Sequence, residues 1–497
     1  MQRLSPIDIA IVLVYLVGIV ILGYFLGRKQ HTETDYFLGG RKLKWWMVGA
    51  SLVVSDIGAL ELMGVSGAAY VYGFSLANYD WLACLFPMVV AAFVFVPFFW
   101  RARVYTIPEY MGRRYNDAVR VLVALIWGSF MVANLGIFLW VSAKTLNVLV
   151  GWQLHWSILV TAFVVGAYTF MGGLRAVVVT DTIQYIILVI GSVVILTIGW
   201  MKVGGISGMV EAIDTSAPGK EFFFDTILGL DSGYPLTWPA VLFGLTFVLG
   251  PAYWGGNQAI VQRCLGTGSE RDAKKSVLFG ACLKCTIPLI LVLPGMFGAI
   301  LYPGIEDPDT IYPTMMAELL PVGLTGIVFA AFLAALMSSV DSYLNSAATI
   351  WTMDIYKRCF NREASHEHLF RVGRVLTIVF ILIAMGLAPI TGKFEGVFSY
   401  FVTLLSMFQG PTFAILLLGM IWKRATSTGA LVGLLVGVAT SATLTWIGED
   451  LFTAAEPALY IAWWAFFGAL VATVVVSLFT QPKEWSAIEP LMFKKVA

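Results

Sequence analysis

The sequence predicts an all-α polytopic membrane protein with about thirteen transmembrane helices, on three observations. Of its 497 residues 59% are apolar and 12% charged, and the mean hydropathy is +0.84, far from the balance of a soluble domain. Apolar runs of about 20 residues, the length that crosses a ~30 Å hydrocarbon core, recur at 7–27, 45–69, 75–100, 119–148, 153–171, 177–201, 236–258, 275–301, 315–353, 371–391, 395–421, 428–447 and 458–480. Basic residues alternate between loops: 25 of the 31 Lys and Arg fall in every second loop and the C-terminal tail, against only Arg3, Lys202, Lys220 and Lys393 on the other side. The positive-inside rule then puts the N-terminus outside and the C-terminus in the cytoplasm, in an inner or plasma membrane.

The first run has no positive stretch ahead of it beyond Arg3 and no small-residue cleavage site, and Arg28 and Lys29 follow it, so it reads as a retained helix. The net charge of +1 averages two unlike faces and points to no nucleic-acid partner. The longest outer loop, 202–235, carries Glu211, Asp214, Glu221, Asp225 and Asp231, either as a solvated face or as a cap over an entrance. Cys282 and Cys285 have redox spacing but lie inside the eighth run without a thioredoxin-like context. His366 and His368 lack a third metal ligand. With no phosphate loop, nucleophile elbow or catalytic-sized soluble segment, the sequence argues against an enzyme and indicates no obligatory protein partner.

Ionisable residues inside membrane helices are functional candidates, because insertion near the centre costs roughly 2.5 to 3.5 kcal/mol even on a lenient scale. Asp56, Glu61, Asp80, Lys144, Asp181, Lys284 and Asp341 qualify. Asp56 and Glu61 lie 11 and 16 residues into the second run, near the midplane, while Asp80 lies about five residues into the third run from its outer end and Lys284 about nine into the eighth from its inner end, placements that let the four face one cavity. Structural charge pairing with Lys284 or Lys144 is the alternative. Asp181 and Asp341 share the cytoplasmic third. Ser338, Asp341 and Ser342 follow i, i+3, i+4 spacing on one helical face, with Ser339 at its edge. Such oxygens suit a small hard cation like Na⁺; serines also serve simply as small packing residues between membrane helices.

Two helix breaks stand out: Ser55 to Gly58 in the second run, and Leu249 to Ala252 in the seventh, where Pro251 removes a backbone donor. Breaks at corresponding positions five spans apart are the pattern of an inverted-repeat transporter with its site at the midplane; an ordinary proline kink is the alternative. Carbonyls freed around Val54 to Ile57 are then available to a cation.

Several stretches carry a family resemblance: Asp35 to Arg41 (DYFLGGR), Val48 to Leu52 (VGASL), Tyr105 to Tyr110 (YTIPEY), Gly172 to Gln184 (GGLRAVVVTDTIQ), Tyr253 to Gln258 (YWGGNQ) and Asn345 to Tyr356 (NSAATIWTMDIY). Over essentially its whole length the chain resembles the sodium/solute symporter family, its sodium/sugar branch above all. The resemblance implies a LeuT-like core of two inverted five-helix repeats, 45–201 and 236–421. An extra helix precedes it within 1–30, two helices follow within 428–480, and 481–497 forms a cytoplasmic tail. It also implies alternating access driven by Na⁺ as coupling ion.

Carried over residue by residue, the main sodium site maps to Val54, Ile57, Ala335, Ser338 and Ser339. A second ion site maps to Asp181, Ser338, Asp341 and Ser342. Asp341 departs from the hydroxyl or small residue of the family, and either strengthens that site or holds a proton. Solute contacts map to Asp56, Glu61, Asp80, Lys284 and Thr403, with Tyr253 as the aromatic gate. Asp56 and Glu61 stand where sugar transporters often have Asn and Gln. The tenth core helix offers Thr403, Ser406 and Gln409, without the family's glutamine at 403. The implied function is Na⁺-coupled symport of a small polar solute, a sugar or polyol, with the solute, Na⁺ and the bilayer as partners. Na⁺- or H⁺-coupled uptake of a cationic amine, amino acid or carboxylate, and a transport-inactive sensor, are the other readings.

Overall fold

In a bilayer every backbone polar group must find its partner within the protein, which leaves helices as the natural solution for so apolar a chain. The computed structural model describes residues 4–27, 33–216, 222–234, 236–394, 396–452 and 457–493, and among them every regular element is helical. Arg3, Arg28, Lys29, Lys220, Glu221, Lys494 and Lys495 lie outside the described residues, as does the side chain of Asp214. Among the described residues ten helical stretches are long and apolar enough to cross a membrane, with two shorter apolar helices, Leu154–Gly166 and Ala240–Gly256, between them. The fifth and sixth runs fall within the element Leu154–Val203, whose apolar stretches are Leu154–Gly166 and Leu174–Val203. The run at 315–353 divides instead into Ile311–Glu318 and Leu324–Ile350, with Gly323 at φ +87° between them.

Burial sorts centre from rim. In the most apolar window of Leu324–Phe360, 89% of residues are buried, against 17% for Pro6–Leu26, whose Leu13, Val14 and Phe25 face outward. The helix carrying Ser338 to Ser342 is therefore the hub of the bundle, and the first helix a peripheral strut.

The first predicted break is present. Helix Trp45–Asp56 stops, Ile57 (φ −91°, ψ 76°) and Gly58 (φ −82°, ψ −178°) leave helical geometry, and Ala59–Tyr72 resumes. Gly58 is required by close approach, since a Cβ there would stand 2.3 Å from Ser339 Oγ. At Gly73 (φ +73°) the chain turns into the next span, and a Cβ would meet the Phe223 carbonyl oxygen at 2.0 Å.

The second break is displaced from its expected place. Pro251 sits at the start of helix Gly250–Gly256 without interrupting it; the extended residue is Asn257 (φ −79°, ψ 123°), ahead of helix Gln258–Leu265. Proline is accommodated because the preceding turns, Ala240–Leu249, are π-helical. The same arrangement recurs twice in the third span, where π-helices Trp81–Leu85 and Ala91–Phe95 precede Pro87 and Pro97. Widening the ladder to i→i+5 makes room for a ring that would otherwise clash with a carbonyl one turn earlier.

Candidate functional site

Consecutive residues on a helix point about 100° apart, so Ser55 and Asp56, the last two residues before the break, face different neighbours. Gly58 N–H, the helical partner of the Val54 carbonyl, instead donates to Glu61 Oε2 at 2.7 Å. Glu61 thus caps the N-terminus of Ala59–Tyr72, where a carboxylate meets unpaired amides and the positive end of the helix dipole. The Val54 carbonyl is released from the ladder by the same contact.

On the Ser55 side the broken helix meets the hub helix. Ser339 Oγ donates to the Ser55 carbonyl at 3.2 Å, Ser55 Oγ lies 3.0 Å from Ser338 Oγ, and Ser342 Oγ donates to Ser55 Oγ at 3.0 Å. Ala335 lies on the preceding turn and is fully buried. The predicted sodium-site residues Val54, Ile57, Ala335, Ser338 and Ser339 therefore gather at one junction. Two hydroxyls, a carbonyl released from its ladder and full burial are the donor set and setting that a small hard cation requires.

The predicted second ion residues adjoin this junction, together with a group that the loop-charge count had placed in an inner loop. Asp181 Oδ2 accepts from Ser51 Oγ (2.5 Å) and Ser55 Oγ (3.2 Å), and Ser342 Oγ lies 3.4 Å from Asp341 Oδ1. Between them lies Arg263, only 1% exposed. Its guanidinium donates to Ser51 Oγ at 2.7 Å and Ser55 Oγ at 2.8 Å, contacts Ser342 Oγ, and pairs with Asp181 at 3.4 Å. Arg263 rides on Gln258–Leu265, an eight-residue helix buried at every position. Polar Gln258 and Gln262, spaced i, i+4, were the only sequence hint that this segment enters the protein.

On the Asp56 side lies a cavity with about 670 Å³ of empty space, including its part open to solvent. Lys284 Nζ forms ion pairs with both Asp56 and Asp80. Lys284 is the last residue of helix Glu270–Lys284, so its charge also complements the negative end of that helix. Glu61, Tyr253, Trp254 and Gln409 line the same space, with Tyr79 and Phe398 meeting edge to face at 4.8 Å between centroids. Both polar atoms of the Gln409 side chain are buried with no protein partner.

Asp56, Glu61, Asp80, Lys284 and Tyr253 thus share one cavity, and the charge-pairing alternative holds for the two aspartates as well. Lys144 is elsewhere, paired with Asp307 at 2.7 Å and Asp309 at 3.6 Å. Thr403 is not in the lining. Helix Val397–Ile421 presents Phe398, Val402, Leu405 and Gln409, one face at helical spacing, and Thr403 is turned off it.

A helical bundle with a broken central helix, a buried charged cavity on one side and a buried oxygen cluster on the other is built as a membrane transporter. The model of the sodium:solute symporter family matches residues 36–437, and the chain belongs to that family. It is 34% identical over 459 residues to a sodium/glucose cotransporter of Vibrio parahaemolyticus, covering 88% of this chain and 84% of that one. It is 32% identical over 473 residues to sodium/myo-inositol cotransporter 2 of Oryctolagus cuniculus, covering 88% and 69%. Among solved structures, a Na⁺-coupled sialic acid symporter in a substrate-bound outward-open state matches with a TM-score of 0.84 at 23% identity, over 97% of this chain and 99% of that one.

Proposed function

We propose that the protein couples the entry of one small polyhydroxylated solute, a sugar or polyol, to inward Na⁺ flow by alternating access. The observation that carries this reading is the junction at Ser55 and Asp56. Na⁺ held by Val54, Ile57, Ala335, Ser338 and Ser339 ties the broken helix to the hub, and the next side chain along, Asp56, belongs to the solute cavity. Ion binding thereby fixes the helix that presents Asp56 and Glu61 to the solute. Asp56, Asp80 and Lys284 offer both acceptors and a donor to hydroxyl groups, while Tyr79, Phe398 and Trp254 suit the apolar faces of a sugar ring. Tyr253 closes the cavity as its gate. The names of the relatives, glucose and myo-inositol cotransporters, support the same class. One charge moved through 100 mV supplies about 2.3 kcal/mol, roughly a 50-fold solute gradient.

The architecture that goes with this reading is thirteen spans. Two inverted five-helix repeats, 45–201 and 236–421, follow an extra helix within 1–30 and precede a helix pair within 428–480 and a tail at 481–497, with the N-terminus outside and the C-terminus inside. The breaks at Ile57–Gly58 and Asn257 are its internal symmetry mark. A second reading, a cationic amine as solute, is favoured by one observation: three cavity carboxylates, Asp56, Glu61 and Asp80, face a single lysine.

Thermal stability of the purified protein, measured against sugars, polyols, amines, amino acids and carboxylates in Na⁺ and in choline, tests both. A hexose or inositol that stabilises only in Na⁺ is the expected outcome. Stabilisation by amines alone moves the second reading ahead, and ligand binding that ignores Na⁺ defeats the coupling.

A further inference from the structure

At the far end of the hub helix the winding changes. Leu324–Ile350 is α-helical, and Trp351–Phe360 continues it as a π-helix. A ladder of i→i+5 bonds brings residues four and five apart onto one face, and here that face carries Met353, Lys357 and Arg358. Arg362 follows in the turn beyond and folds back, its Nε donating to the Arg358 carbonyl at 3.2 Å. These four residues form one wall of a further cavity, with about 550 Å³ of empty space including its part open to solvent, and Tyr105, Glu109 and Arg120 form the other. It shares no lining residue with the solute cavity.

The carboxylates at this cavity are already engaged. Asp354, fully buried, pairs with Arg120 at 2.7 Å and accepts from the Thr106 hydroxyl at 2.7 Å. Asp117 pairs with Arg358, and Glu109 pairs with Arg113 and accepts from the Tyr105 amide at 2.8 Å. The cations are not all engaged. Arg358 Nε is buried with no hydrogen-bond partner, and among the described residues Lys357 and Arg362 form no ion pair. Among the charged groups that line the cavity or pair with its lining, Arg113, Arg120, Lys357, Arg358 and Arg362 outnumber Glu109, Asp117 and Asp354 by two. Basic residues at an inner face need no ligand when they stand in water; here they converge on an enclosed space, with a buried donor left over. A phosphate monoester carries about 1.5 to 2 negative charges near pH 7 on three strong acceptor oxygens, and forked guanidinium and ammonium donors are the groups that recognise it.

We propose that this cavity binds a phosphate group, held by Lys357, Arg358 and Arg362. On the orientation proposed above it opens at the cytoplasmic face, where the group comes either from a soluble phosphate compound or from the headgroup of an anionic lipid. Its binding adds to the two ion pairs, Arg120 with Asp354 and Arg358 with Asp117, that already tie this end of the hub to helix Asp117–Val150.

The test is thermal stability of the purified full-length chain in two arms. In detergent, potassium phosphate is titrated against potassium chloride at matched ionic strength; in phosphatidylcholine nanodiscs, phosphatidic acid, whose headgroup is a phosphate monoester, is added. The expected result is saturable stabilisation in at least one arm, with affinity lowered about tenfold or more in the double variant Lys357→Gln/Arg362→Gln. A response to phosphate in detergent identifies a soluble ligand, and a response to phosphatidic acid alone identifies the lipid headgroup. No saturable shift in either arm, or a shift that the double variant keeps, overturns the site. Should the double variant fail to fold, Lys357→Gln alone decides. Neither arm requires Na⁺, so failure here leaves the coupling reading standing.

Discussion

Ser55 and Asp56 are neighbours in the chain and serve two regions built on opposite plans. The Asp56 side is roomy, largely apolar with several aromatic rings, and pairs one lysine with two aspartates. On the Ser55 side hydroxyls, a carboxylate and a guanidinium interlock at 2.5 to 3.4 Å. A polar network interlocked this closely, with only Asp181 Oδ1 of its carboxylate left open, is held in one arrangement, whereas a roomy cavity whose Gln409 amide has no protein partner waits for a ligand to complete it. The contrast teaches that selectivity for the ion is set in advance, and that the solute finishes its own site.

The sharpest way to break the contrast is Lys284→Met. It leaves Asp56 and Asp80 buried together without their cation, and breaking a buried pair costs about 3 to 5 kcal/mol. Solute binding is expected to fall by about 100-fold or more, with a lower melting temperature. Adding Asp56→Asn and Asp80→Asn should restore the melting temperature and leave uptake absent. A Lys284→Met protein that transports normally removes the lysine from the solute site. Smaller and opposite in location is Ser339→Ala, which loses a hydroxyl ligand and its bond to the Ser55 carbonyl. At about 1 to 1.5 kcal/mol for one such contact, Na⁺ affinity should drop roughly tenfold, while solute affinity at saturating Na⁺ stays within about twofold. Equal losses of both affinities would mean that the two regions are one. The smallest effect belongs to Thr403→Ala. A residue off the lining face should leave uptake within about twofold, a change of at most ~0.5 kcal/mol. A tenfold loss would mean that this helix turns Thr403 toward the solute in another conformation.

Much of this arrangement was legible in the sequence, for uneven reasons. Helical content follows from composition, since a bilayer offers so apolar a chain little else. The break at Ile57 and Gly58 was readable because acidic residues and a glycine are costly inside a span and their cost marks the place. The second break was misplaced by six residues, from Pro251 to Asn257, because a proline breaks an α-helix but fits after a π-helical turn, and nothing local announces a π-helix. Arg263 was counted with the inner loops because sequence alone shows the charge and not the fold-back that buries it. Thr403 failed because choosing among the faces of an apolar helix needs its rotation, which only packing supplies.

Two of the π-helical stretches, Trp81–Leu85 and Ala240–Leu249, sit beside the cavity. Ala83 and Cys84 belong to the first, Leu245 and Leu249 to the second, and all four form its apolar wall. A wide turn ahead of a proline holds carbonyls that can trade an i+5 partner for an i+4 one, shifting the ladder by one residue and rotating the side chains it carries. The wall can therefore screw in or out by a fraction of a turn while Asp56 and Lys284, on other segments, keep their places. Solutes of differing girth would then be measured by an adjustable sleeve around a fixed pair of charges.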